Sequence, residues 1–131
     1  MSTADEQLAD TIELRVPADG AYVSLVRTVT AALAARCELT LDDMEDLRIA
    51  VDEACSLLLP HAAGTSSLHA RYSLKPGCLE ITAQVHTAGP TEIDRKGFAW
   101  TLLQALATSV TVSNDGRLAI ELVKQREAHA T

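Results

Sequence analysis

"LRIAVDEACSLLLPHA" spans residues 47–62, and its reading decides the fold. Apolar side chains recur at nearly every helical turn, yet Asp52 and Glu53 stand side by side among them. Positions four apart share one face of a helix, so Glu53 and Leu57 look the same way. Upstream, Thr40 is followed three residues later by Asp43, an acidic first turn that suits the positive end of the helix dipole. Downstream, Pro60 and Gly64 end the helix.

Working outward, "TIELRV" (11–16) places Ile12, Leu14 and Val16 on one face and Glu13 and Arg15 on the other, the period of a half-buried strand that Pro17 stops. "PADGAYVSLVRTVTAALAARC" has Asp19 where a helix cap would sit and Tyr22, Val26, Val29 and Leu33 at helical spacing. "SSLHARYSLKPGCLEITAQVH" holds a turn at Lys75–Gly77 between two alternating runs, which reads as a hairpin. "TAGPTEIDRKG" is polar and rich in turn formers, so it reads as loop, and "FAWTLLQALATSV" as a short helix. "SVTVSNDGRLAIELVKQ" carries Asn114-Asp115-Gly116, a tight-turn signal, between two further alternating runs. Strand, two long helices, hairpin, loop, helix and hairpin add up to an α+β, two-layer α/β sandwich: helices on one face of a mixed, mostly antiparallel sheet. Residues 1–10 read as a disordered tail, 11–124 as one domain, and 125–131 as a frayed end.

Composition narrows the function classes. At 131 residues and 47% hydrophobic, the chain fits one domain with a real core. No run approaches the roughly 18 apolar residues of a membrane span, and the acidic start does not resemble a secretory signal, so a cytoplasmic protein without membrane contact is expected. Net charge is -7, with Lys and Arg scattered and only four aromatics (Tyr22, Tyr72, Phe98, Trp100), which argues against direct nucleic-acid binding. Cys37, Cys55 and Cys78 are odd in number and widely spaced; they read as small buried apolar residues. The four histidines share no ligand spacing, so no metal site is expected from them.

The stretch "LRIAVDEA", preceded by "DGAYVSLVRTVTAAL", resembles the bacterial anti-sigma factor/serine-protein kinase family of the histidine-kinase-like ATPase superfamily. The resemblance runs over roughly residues 11–124 and is carried by the strand ending in "VPA", the Tyr22–Leu33 helix with Arg27 inside it, residues 47–54, and the "FAWTLLQALATSVTV" segment. It implies a motif Glu-x-x-x-Asn on the second helix, the Glu as general base toward the attacking hydroxyl and the Asn holding Mg²⁺ on the nucleotide. Glu53 matches the first position and Leu57 occupies the second, where a hard cation demanding oxygen finds no lone pair. The family's Asp-x-Gly-x-Gly and Gly-x-Gly segments are reduced to Gly89 and Gly97, and the lid between them is short. Three parts of an ATP site are degraded together. The expectation is a retained scaffold without phosphotransfer, with no cofactor required although ATP and Mg²⁺ belong to the family.

The resemblance places Arg27, with Tyr22 beside it, on the surface that contacts a sigma factor and a competing anti-anti-sigma protein, where a forked donor suits carboxylates. Residue chemistry alone reads Arg27 as a surface ion-pair partner, Asp52 as solvated, Trp100 as core, and Asp42, Asp43, Glu45 and Asp46 as a solvated acidic face. The resulting expectation is a homodimeric anti-sigma factor, first candidate surface Tyr22–Ala34. Its rivals are an active ATP-dependent serine-protein kinase acting on the antagonist and a module that keeps nucleotide without turnover.

Overall fold

Thr40 closes a reciprocal cap at the start of the longest helix: its Oγ1 accepts from the Asp43 amide (3.0 Å) and its own amide donates to Asp43 Oδ2 (3.2 Å). A computed structural model of the chain describes residues 10–126. In it the helix α2 runs Leu41–Leu58 and passes into a 3₁₀ turn at Leu59–His61, where Pro60 stops it. Its inner stripe, Leu47, Ala50, Val51, Ala54, Cys55 and Leu58, is fully buried. Each large side chain so buried contributes about 1.5–3 kcal/mol, and the two alanines let neighbouring elements approach closely.

Helix α1 (Val23–Arg36) packs on one side of α2 and α3 (Phe98–Leu106) on the other. Asp19 caps the 3₁₀ turn Gly20–Tyr22 that leads into α1, rather than α1 itself, by accepting from the Ala21 amide at 2.9 Å. That extra turn carries Tyr22 out to the surface, so the inward stripe of α1 is Val23, Val26, Thr30, Leu33 and Ala34.

The helices cover one face of a five-stranded sheet of β1 (Asp10–Pro17), β2 (Ser67–Lys75), β3 (Cys78–His86), β4 (Ser109–Asn114) and β5 (Arg117–Gln125). Strand order is β1-β2-β3-β5-β4, and every pairing is antiparallel. The expected mixed sheet is therefore corrected. Strands β3 and β4 run the same way because α3 crosses between them, but β5 inserts between the two and removes the parallel contact. Leu68, Ala70, Tyr72 and Leu74 on β2 and Leu79, Ile81, Ala83 and Val85 on β3 point to the helices and are buried. Pro76 and Gly77 make the first hairpin turn, with Gly77 at φ 75°, and Gly116 at φ 90° makes the second.

Asp10 and Gln125 are strand residues, so the expected disordered tail and frayed end do not include them. Arg126 is also described, its amide donating to the Gly77 carbonyl at 2.7 Å; the rest of those two segments, 1–9 and 127–131, lies outside the described residues. Cys37 and Cys55 are buried as expected, but Cys78 is half-exposed because it opens β3 at the hairpin edge. Trp100 is in the core.

Candidate functional site

Glu53 and Leu57 stand one turn apart on α2, yet they meet different surroundings. Leu57 packs part-buried against the core. Glu53 is half-buried and lines an open cavity of about 660 Å³ with Val23, Arg27, Asp52, Ser56, Leu59 and Pro60. Across this cavity Arg27 Nε lies 3.5 Å from Asp52 Oδ1, tying α1 to α2. Asp52 is thus an ion-pair partner and not simply solvated. The Arg27 Nε atom is enclosed without making a hydrogen bond, while about a third of the side chain stays exposed. Tyr22 and Leu25, on the outer side of the same segment, are also exposed.

Gly97 is the N-cap of α3. The carboxylate of Asp94 sits over this helix start: Oδ1 accepts from the Lys96 amide at 2.9 Å, and Oδ2 lies 3.0 Å from where a Cβ on Gly97 would be. A negative group there is stabilised by the helix dipole. Gly89 is exposed in the loop between β3 and α3 with open space around it.

That loop is held at several points. His61 Nδ1 and Thr91 Oγ1 are 2.6 Å apart, Asn114 Nδ2 donates to the Thr91 carbonyl, Ile93 is buried, and the Arg95 guanidinium lies 5.0 Å from the centre of the Trp100 ring. A second cavity, about 390 Å³, opens between the loop and the β4/β5 hairpin, lined by Thr91, Asp94, Lys96, Val112, Asn114 and Leu118. Neither Glu53, Leu57, Gly89 nor Gly97 lines it, and neither glycine lines the cavity at Glu53. Of the four positions taken from the nucleotide motifs, Glu53 alone lines either of these two cavities. Sequence reasoning missed Asp94; its place three residues before Gly97 at a helix start was the available signal.

The acidic cluster at the start of α2 also differs from a uniformly solvated face. Asp43 is buried and reaches Lys124 Nζ at 4.0 Å; the same ammonium donates to Asp46 Oδ2 at 3.2 Å and to the Leu106 carbonyl at 2.7 Å. Glu45 is exposed and paired with Arg48, whose hydrogen bond holds the carboxyl below its ordinary range. Among the described residues no group of three or more His, Cys, Asp or Glu is placed to hold a metal ion, and no helix is long and apolar enough to cross a membrane.

Similarity to known proteins follows this geometry. The protein named Anti-sigma-F factor RsbW from Mycobacterium tuberculosis (strain H37Rv) is 33% identical over 108 residues, 81% of this chain and 63% of that protein. Serine-protein kinase RsbW from Bacillus subtilis (strain 168) is 46% identical over 54 residues, 41% of this chain and 34% of that protein. The chain thus spans less than two thirds of the first relative and about a third of the second. A crystal structure of the RsbU and RsbW domains of a Mycobacterium tuberculosis protein superposes with TM-score 0.70 over 88% of this chain and 32% of that one, at 14% identity, a likeness of fold. The family described as "Histidine kinase-like ATPase domain" matches residues 16–124, from the end of β1 through nearly all of β5. With that span covering most of the sandwich, the chain belongs to the histidine kinase-like ATPase domain family.

Proposed function

We propose that the protein is an anti-sigma factor acting by occlusion: it sequesters an alternative sigma factor of the stress or sporulation type and is displaced by a competing anti-anti-sigma protein. The observation that carries this reading is the exposed outer side of the α1 segment, where Tyr22 and Leu25 flank an Arg27 that opens onto the cavity with Asp52 and Glu53. Apolar contact area beside a forked cation is what a protein partner's carboxylates and side chains can use. The name of the mycobacterial relative supplies the partner class. A homodimer in the cytoplasm, without nucleic-acid or membrane contact, completes the proposal.

The residues present do not fit a magnesium-bound triphosphate. Leu57, at the metal-ligand position, offers only carbon and is packed against the core. The α3 start, where backbone amides could receive a phosphate, carries the Asp94 carboxylate instead. Like charges at one helix end repel, so the Asp94 carboxylate opposes a phosphate at this helix start.

The second reading, an ATP-dependent serine-protein kinase, is favoured by the retained Glu53 and by the name of the Bacillus relatives. Pull-down from the native cytosol with mass identification of the captured protein tests the first reading. A sigma subunit released by an anti-anti-sigma protein is the expected result; capture of no transcription-initiation subunit contradicts it. Calorimetry with Mg-ATP tests the second, and clear micromolar, Mg-dependent binding would restore it.

A further inference from the structure

The outer face of the sheet, turned away from all three helices, carries a pocket that the anti-sigma proposal does not use. Register brings its residues together from four strands. Arg15 pairs with His69 and His69 with Gln84, forming one row across β1, β2 and β3; His86 pairs with Arg117 in the next row across β3 and β5. Two strands lie between β1 and β5, so Arg15 and Arg117 start roughly 14 Å apart at about 4.8 Å per strand, and both line the same basin, from opposite sides. The basin has a volume of about 240 Å³, and Ser66 and Ser67 also line it.

Its chemistry is one-sided. Two arginines and two histidines line it and no carboxylate does, in a chain whose net charge is -7. Neither Arg15 nor Arg117 makes an ion pair among the described residues. The acidic residue nearest in the bonding network, Glu13, is engaged by His69: its Oε1 is 3.1 Å from His69 Nε2. On the other side of the ring, Gln84 Nε2 lies 3.0 Å from His69 Nδ1. The ring thus sits between the Glu13 carboxylate and the Gln84 amide, on the row that crosses the basin. Ser66 Oγ is enclosed and has no hydrogen-bond partner, an unmet polar group of the kind that marks a missing ligand or water.

We infer that this outer-face basin binds a phosphate-type dianion, a free phosphate or a phosphate monoester, held by Arg15 and Arg117 with Gln84, His86 and the serine hydroxyls as further donors. The forked guanidinium geometry matches phosphate oxygens. Donors spread over four strands suit a tetrahedral group with several acceptors better than a single planar carboxylate. The volume of about 240 Å³ has room for a phosphate and for the substituent of a monoester, since a water takes only about 30 Å³. The inference is independent of the α1 surface, which lies on the opposite layer.

The test is an NMR titration of the full chain at constant ionic strength, with inorganic phosphate in one arm and a short phosphoserine peptide in the other. Saturable shifts confined to the amides around Gln84, His86 and Arg117 are expected. The double variant Arg15→Gln, Arg117→Gln should bind at least about tenfold more weakly, since each lost charge-assisted hydrogen bond is itself worth about that factor. The spectrum of each variant reports its folding, and Arg117→Lys, which keeps the charge and loses the fork, should fall between. Tighter binding of the peptide assigns the site to a phosphorylated protein partner; equal or tighter binding of inorganic phosphate assigns it to the free ion. The inference is overturned if wild type shows no saturable response in either arm, or if the double variant binds like wild type.

Discussion

Arg27 Nε and Asp52 Oδ1 lie 3.5 Å apart, bridging α1 and α2 across the mouth of the cavity that Glu53 and Ser56 also line. Both side chains are a third or more exposed, so the pair is solvent-screened and contributes only about 0–1 kcal/mol to stability. Arg27→Ala is therefore expected to leave the thermal midpoint nearly unchanged and, on the proposed anti-sigma role, to weaken sigma-factor capture about tenfold or more. Arg27→Lys should recover only part of the loss, because an ammonium lacks the fork. Surface plasmon resonance against the captured sigma factor measures both; equal affinity of Arg27→Ala and wild type removes Arg27 from the interface.

Restoring one motif residue should not restore chemistry. Leu57→Asn returns an oxygen ligand to α2 but leaves the Asp94 carboxylate over Gly97. It also removes a part-buried apolar contact, a cost of about 1–2 kcal/mol. Expected outcomes are a lower denaturation midpoint, no phosphotransfer, and no gain in Mg-ATP affinity by calorimetry. Adding Asp94→Asn to Leu57→Asn removes the repulsion and should produce the first measurable nucleotide binding. Phosphotransfer from Leu57→Asn alone contradicts the account of the α3 start.

The features that the sequence made legible are local ones. Thr40 with Asp43, Pro60, Pro76-Gly77 and Asp115-Gly116 each act within a few residues, and each bounds the element expected of it. Alternation gave the inward faces of β2 and β3 for the same reason. What stayed hidden depends on partners distant in the chain. Asp43 reads as solvated until β5 brings Lys124 onto it, and Asp52 until α1 brings Arg27. The basic basin has no signature at all, since Arg15, His69, Gln84 and Arg117 become neighbours only through sheet register. The insertion of β5 between β3 and β4, which makes the sheet wholly antiparallel, is likewise a matter of topology that periodicity does not encode.

Lys124 ties the start of α2 and the end of α3 to the last strand, and its ammonium is largely enclosed. Removing Asp43 leaves Lys124 with Asp46 and the Leu106 carbonyl but takes away the carboxylate buried beside it. Asp43→Ala deletes both the reciprocal cap with Thr40 and one carboxylate facing Lys124, and should cost about 2–4 kcal/mol. Asp42→Ala, at an exposed position of the same helical turn, should cost less than about 0.5 kcal/mol. Urea unfolding compares the two; near-equal midpoints would mean that Asp43 is no more than another surface acid.

The buried hydroxyl of Tyr72 is within 3.0 Å of Thr30 Oγ1 and donates to the Val26 carbonyl at 3.4 Å. Burial pushes its acid dissociation up to about 12, against an ordinary 10.0, outweighing the opposing hydrogen bond from Thr30. Burial likewise pushes the Cys55 thiol from 9.0 up to about 12. Both folded-state values are raised, so the unfolded chain releases its protons first as pH rises. Stability from the two neutral groups is therefore complete below about pH 9 and is lost progressively between pH 9 and 12. At about 1.4 kcal/mol per unit, each group can account for an upper limit of about 2–4 kcal/mol over that window. Tyr72→Phe should lose about 1 kcal/mol at pH 8, where the hydroxyl's bonds count, and lose less than wild type between pH 10 and 12. Cys55→Ala should flatten the curve from pH 9 upward. Urea midpoints at pH 8, 10 and 11 give the slopes; a Tyr72→Phe profile parallel to wild type across that range would show that the buried phenol does not govern alkaline unfolding.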